Sequence, residues 1–125
     1  MLKLLIVDDS NIIRSRIERI YQDDSIVKVV GKAANGRIAI QLVNQLAPDI
    51  VTMDLTMPKV DGVACIERLK EIKPTIKILV VSALSDKATG IEALTKGARG
   101  FLCKPFTDDD LKSALDKLVK SSSRK

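Results

Sequence analysis

Histidine is absent from this chain of 125 residues, which removes the commonest general base and a principal zinc ligand. Cysteine is nearly absent too. Cys65 and Cys103 are the only two and form no C-x-x-C pair, so zinc and histidine-based catalysis have almost no ligands to work with, and both thiols are expected to be packing residues. Tryptophan is missing and aromatics make up 2% of the chain, which leaves little with which to stack nucleic-acid bases. No apolar run approaches the roughly 18 residues of a membrane span. The apolar stretch at residues 4–7 is too short for a signal-peptide core and ends in two carboxylates, so a cytoplasmic location and no membrane partner are expected.

What is present is the composition of one soluble globular domain, 46% hydrophobic and 30% charged. The net charge of +5 raises the question of an acidic partner, but lysine and arginine are spread along the chain and only residues 121–125 resemble a basic tail. Direct nucleic-acid binding is therefore not expected. The domain is placed at residues 1–120, with 121–125 as a short basic C-terminal tail.

Strand-like runs rich in valine, isoleucine and leucine occur at residues 3–7, 26–31, 49–53, 77–81 and 100–103, several of them apolar on both faces. Segments with helical periodicity lie between them, including Ile12, Ile13, Ile17 and Ile20, then Ile38, Ile40, Leu42, Val43 and Leu46. Asn35-Gly36 opens the second helix, Pro48 follows its end, Pro74 closes the third, and Thr107 with Asp108 to Asp110 caps the fifth. Strands apolar on both faces must be covered on both sides, so the alternation predicts a doubly wound α/β domain of (βα)5 type with a parallel sheet. In such sheets the functional crevice lies beyond the carboxyl ends of the strands.

Those ends carry Asp8-Asp9, Asp54, Ser82 and Lys104-Pro105. Three carboxylates at one edge repel one another unless a cation sits among them, and oxygen ligands of this kind suit Mg²⁺, which would retain coordination sites for phosphate oxygens. A carboxylate can attack phosphorus to form an aspartyl phosphate if the charge on the equatorial oxygens is stabilised, a task for the Lys104 ammonium and the Ser82 hydroxyl. Drawing Ser82 toward new phosphoryl oxygens would move the loop after the fourth strand, and Phe101 could fill the vacated space.

Over nearly its whole length the chain resembles the response-regulator receiver family, through LLIVDDS at residues 4–10, PDIVTMDLTMPKVDG at 48–62, VVSA at 80–83 and GARGFLCKPF at 97–106. The resemblance implies a flavodoxin-like sheet of strand order 2-1-3-4-5 and a two-component signalling function. It implies phosphorylation of Asp54 by a sensor histidine kinase, with Mg²⁺ held by Asp8, Asp9, Asp54 and the backbone carbonyl of Thr56. Ser82 and Lys104 would contact the phosphoryl group, Lys104-Pro105 would be a cis peptide bond, and Phe101 would be the rotating aromatic. A docking surface around helix four, strand five and helix five would then address a downstream effector protein, in chemotaxis among other settings. The chain would be no enzyme beyond self-catalysed phosphotransfer and slow autodephosphorylation, and a monomer or a weak phosphorylation-dependent dimer. Serine stands where familiar members carry threonine at position 82, and phenylalanine where they carry tyrosine at 101.

Blander readings exist for each residue. Asp8-Asp9 could cap the first helix, Asp54 could cap a turn, Ser82 could cap a strand end, Lys104 could be a surface lysine and Phe101 a core aromatic. Asp61-Gly62 reads as a turn into the third helix. Gly90, inside the fourth helix, suggests that this helix is loosely held. Among functions, a stand-alone receiver is set against a phosphorelay carrier or phosphate sink and against the receiver fragment of a DNA-binding regulator.

Overall fold

Alternation of apolar side chains to both faces makes every central strand a bridge between two cores. In the computed structural model, which describes residues 1–55, 62–83 and 87–123, the strands are β1 (Leu2–Val7), β2 (Val27–Ala33), β3 (Ile50–Asp54), β4 (Lys77–Ala83) and β5 (Gly100–Lys104). Between and after them run α1 (Asn11–Ile20), α2 (Gly36–Leu46), α3 (Gly62–Ile72), α4 (Lys87–Thr95) and α5 (Asp108–Ser123). All strand pairs are parallel and the order is β2-β1-β3-β4-β5, the flavodoxin-like arrangement expected.

Leu4 and Ile6 of β1, with Ile50, Leu79 and Val81, pack against Ile17 of α1 and Leu111, Leu115 and Leu118 of α5. Leu5 and Val7, with Val51, Met53, Ile78 and Val80, pack on the other side against Val43 of α2, Ile66 and Leu69 of α3 and Ala93 of α4. Each fully buried aliphatic side chain in these layers contributes about 1.5–3 kcal/mol. Cys65 lies in the second layer, where burial pushes its thiol pKa up to about 11 and keeps it an unreactive packing group.

Element ends differ from the sequence expectation in ways the ladder explains. β2 runs on to Ala33 because Lys32 and Ala33 still pair with Ile6 and Val7 of β1, after a register shift between Leu4 and Leu5. β3 takes in Asp54, paired with Val81, and β4 takes in Ser82 and Ala83, paired with Cys103 and Lys104. The expected caps are in place: the Asn35 side chain accepts from the Ile38 amide, and Ala47 ends α2 with φ 47° just before Pro48. α5 continues to Ser123, past the boundary placed at residue 120, so the first residues of the expected tail are helical. Gly62 begins α3, whereas Asp61 lies outside the described residues.

Candidate functional site

The carboxyl edge of the sheet is assembled from strand ends, which places its side chains by backbone register. Asp8 follows β1, and its amide donates to Ala33 O at 3.0 Å, so the ladder fixes the residue on one side. On the other side, Asp8 Oδ1 accepts from the Ser10 amide at 2.9 Å, and Ser10 Oγ accepts from the Ile13 amide at 3.3 Å as the cap of α1. The helix cap is thus Ser10, and Asp8 and Asp9 are left for other work. Arg14 Nη1 donates to the Asp8 carbonyl at 2.5 Å and ties the first turn of α1 back to the same residue.

Side chains alternate along a strand. Asp54 and Lys104 therefore continue the face of Ile50 and Leu102, which looks toward α1 and α5, whereas Ser82 and Phe101 continue the face of Ile78 and Val80, which looks toward α2, α3 and α4. Carboxylate oxygens of Asp8, Asp9 and Asp54 all lie within 4.8 Å of one another. Lys104 reaches across from β5, its Nζ 3.3 Å from Asp54 Oδ2 and 3.6 Å from Asp8 Oδ2. The Lys104–Pro105 peptide bond is cis. Thr56 lies outside the described residues.

Burial makes this edge electrostatically demanding. Asp8 and Asp54 are 2% and 1% exposed, Asp9 is exposed, and the Lys104 side chain is 28% exposed. Burial raises the Asp8 carboxyl above the usual carboxylate range; the Ser10 amide and Lys104 draw it back, while the charges of Asp54 and Asp9 push it further up. Ser82 is fully buried and its Oγ has no hydrogen-bond partner among the described residues. A buried hydroxyl without a partner costs about 1–3 kcal/mol, and this one lies near the carboxyl end of β4. Three acids converge with a lysine, and the donor set is oxygen only: the cluster can hold a metal ion.

Phe101 is half-buried beside α4, and its ring lies against Gly90. Sequence reasoning overlooked Arg16. From α1, its Nη2 donates to Phe106 O at 2.7 Å, its Nε pairs with Asp108, and its guanidinium stands 4.9 Å from the centroid of the Phe106 ring. That clamp holds the segment just after Lys104-Pro105. No local sequence signal marks it, because its partners are 90 and 92 residues away.

Comparison with known proteins places this geometry in context. The family model of the response regulator receiver domain matches residues 4–116. The chain is 39% identical over 120 residues to the chemotaxis protein CheY of Listeria monocytogenes, covering 96% of this chain and 100% of that protein. It is 41% identical over 118 residues to the chemotaxis protein CheY of Thermotoga maritima, covering 94% and 98%. A chain in the crystal structure of the CheX-CheY-BeF3-Mg²⁺ complex from Borrelia burgdorferi superposes with a TM-score of 0.85 at 28% identity, covering 94% of this chain and 88% of that one. A receiver match over most of the chain, relatives matched along almost their whole length, and the strand order 2-1-3-4-5 agree, and the chain belongs to the response regulator receiver domain family of two-component signalling.

Proposed function

We propose that this receiver accepts a phosphoryl group on Asp54 from a sensor histidine kinase, in a Mg²⁺-dependent reaction, and thereby switches a surface read by a downstream effector protein. The observation that carries the reading is the convergence of Asp8, Asp9 and Asp54 within 4.8 Å with Lys104 Nζ 3.3 Å from Asp54. A buried aspartate, 1% exposed, needs a reason to stay there, and nucleophilic attack on phosphorus supplies one. The Asp54 carboxylate oxygen forms the new bond to phosphorus while the bond to the donor's imidazole nitrogen breaks. Lys104 neutralises developing negative charge on the phosphoryl oxygens, and the Ser82 hydroxyl, without a partner among the described residues, donates to one of them.

Mg²⁺ fits the donor set. Asp8, Asp9 and Asp54 would hold it, and when bound it would supply positive charge among three clustered acids. Asp8, buried and with its carboxyl pKa raised by that burial, would gain from such a counter-charge. The acceptor of the phosphoryl group is the protein's own Asp54, so the chain is read as a signalling module and not as an enzyme that turns over an external acceptor.

The readout surface includes α4, where Ile91 and Leu94 are 65% and 41% exposed. Two exposed aliphatic side chains on one short helix suit a protein partner more than a solvated face. Relatives named as chemotaxis proteins make chemotaxis the favoured setting. Incubation with acetyl phosphate and Mg²⁺ should add one acid-labile phosphoryl group to the wild-type chain and none to Asp54→Asn. Labelling of that variant at the wild-type rate would remove Asp54 from its role.

A further inference from the structure

Gly90 is buried in α4, which packs against β5, and a glycine within a helix is disfavoured relative to alanine. The space around it explains the choice. A Cβ at residue 90 would fall 2.6 Å from Phe101 Cζ and nearer still to Cε2 and Cδ2, far inside ordinary contact at about 3.5–4 Å between carbons. The ring therefore occupies the volume that any side chain at 90 would take. Phe101 sits opposite Val80 in the β4–β5 register and packs on the core layer that includes Ala93 of α4. Instead of merely loosening the helix, the glycine opens a notch in it, and the aromatic of β5 is seated there.

From this contact we infer that Gly90 is a positioning residue for the switch: its missing side chain creates the inward seat of Phe101 before any phosphoryl group arrives. The inference rests on the reading of Asp54 given above and extends it to a residue outside the phosphorylation site. Ser82 and Phe101 share the sheet face that α4 covers, so the hydroxyl that would turn to the phosphoryl group and the ring that lies in the notch border the same space. A side chain at 90 closes the seat, drives the ring outward, and disfavours the arrangement that a phosphoryl group selects. Coupling between two sites is reciprocal, so loss of the seat appears as weaker binding of a phosphoryl mimic.

The scarcity of aromatics makes the test direct, because the chain has two phenylalanines. Incorporated 4-fluorophenylalanine gives two fluorine lines, and the one lost in Phe101→Leu belongs to residue 101. Without metal, the wild-type Phe101 line should show the small H₂O/D₂O shift of a sheltered ring; in Gly90→Ala it should move to a solvent-exposed value while the Phe106 line stays. Titration with beryllofluoride and Mg²⁺ should then show affinity reduced by at least about fivefold in Gly90→Ala, within the usual range of such coupling. In the Phe101→Leu background, the same Gly90→Ala change should alter affinity by less than about twofold. If Gly90→Ala alone does not fold, folding of the double variant supports the clash directly, and failure of both overturns the inference. A Phe101 line that stays sheltered in Gly90→Ala, or an affinity loss that persists without the ring, also overturns it. A wild-type chain that binds no beryllofluoride would instead sink the Asp54 reading, leaving the fluorine shift to judge the seat on its own.

Discussion

Replacing Asp8 with asparagine should stabilise the metal-free protein while abolishing its stabilisation by Mg²⁺. At an effective dielectric constant of about 20, unit charges no more than 4.8 Å apart, as in the Asp8–Asp54 pair, repel by about 3.5 kcal/mol or more. Lys104 at 3.6 Å from Asp8 returns about 4.6 kcal/mol on the same scale, reduced because that lysine is 28% exposed. Asp9 adds a further repulsion, weakened by its exposure. These terms nearly cancel, which leaves the desolvation of a carboxylate 2% exposed, several kcal/mol per ion in real proteins and only partly offset by the Ser10 amide. Asparagine keeps an oxygen for that amide and drops the charge. The net gain is about 1–2 kcal/mol, or roughly 4–8 °C in Tm for a domain of this size.

Circular dichroism melts in EDTA and in saturating Mg²⁺ separate the two effects. Wild-type protein should gain about 2.7 kcal/mol at a Mg²⁺ concentration one hundred times Kd, whereas Asp8→Asn, short of one ligand, should gain little, so the order of the two melting temperatures reverses. The pH dependence follows from the sign of the shift. Because the folded-state pKa of Asp8 is raised, the protonated form favours folding, and stability is lost as pH rises from the ordinary carboxylate range through the folded value. The advantage of Asp8→Asn should therefore be full above that window and shrink as the pH falls through it. A variant less stable than wild type in EDTA at pH 7, or one that gains as much from Mg²⁺ as wild type, would refute the reasoning.

Lys104→Met takes the ammonium away from two buried carboxylates. It should lower metal-free stability by about 1–3 kcal/mol in chemical denaturation, toward the low end because the lysine is partly exposed, and slow labelling by acetyl phosphate on the order of 100-fold. Thr107→Ala breaks a reciprocal cap in which Thr107 Oγ1 accepts from the Asp110 amide at 3.0 Å and Asp110 Oδ2 accepts from the Thr107 amide at 3.1 Å. Its expected cost is about 1 kcal/mol in the same denaturation assay, with acetyl phosphate labelling unaffected.

The alternation of strand and helix could be read from the sequence because each central strand had to bury both faces, and β1 does so with Leu4 and Ile6 on one side and Leu5 and Val7 on the other. The rule that crevices lie beyond strand carboxyl ends then brought Asp8, Asp9, Asp54, Ser82 and Lys104 together without coordinates. Strand ends were less visible, since Lys32 lies beyond the apolar run at 26–31 yet pairs with Ile6 at a sheet edge where one face can meet water. Long-range pairing was not visible at all. Arg16 finds Phe106 and Asp108 only because α1 and α5 pack side by side on one face of the sheet, and nothing within a helical turn of either end announces the clamp. Gly90 shows the opposite failure. Local propensity assigns it a weakened helix, but the same absent side chain accepts an aromatic ring from another element, so a cost within α4 becomes a contact between α4 and β5. Lys104 combines both cases: its place at the edge was legible, yet its division between Asp8 and Asp54 was not. That division means neither carboxylate can change its charge or its bonding without altering the cation that serves the other. A phosphoryl group on Asp54 would therefore be registered at Asp8 and through it at Ser10 and the start of α1, as well as at α4.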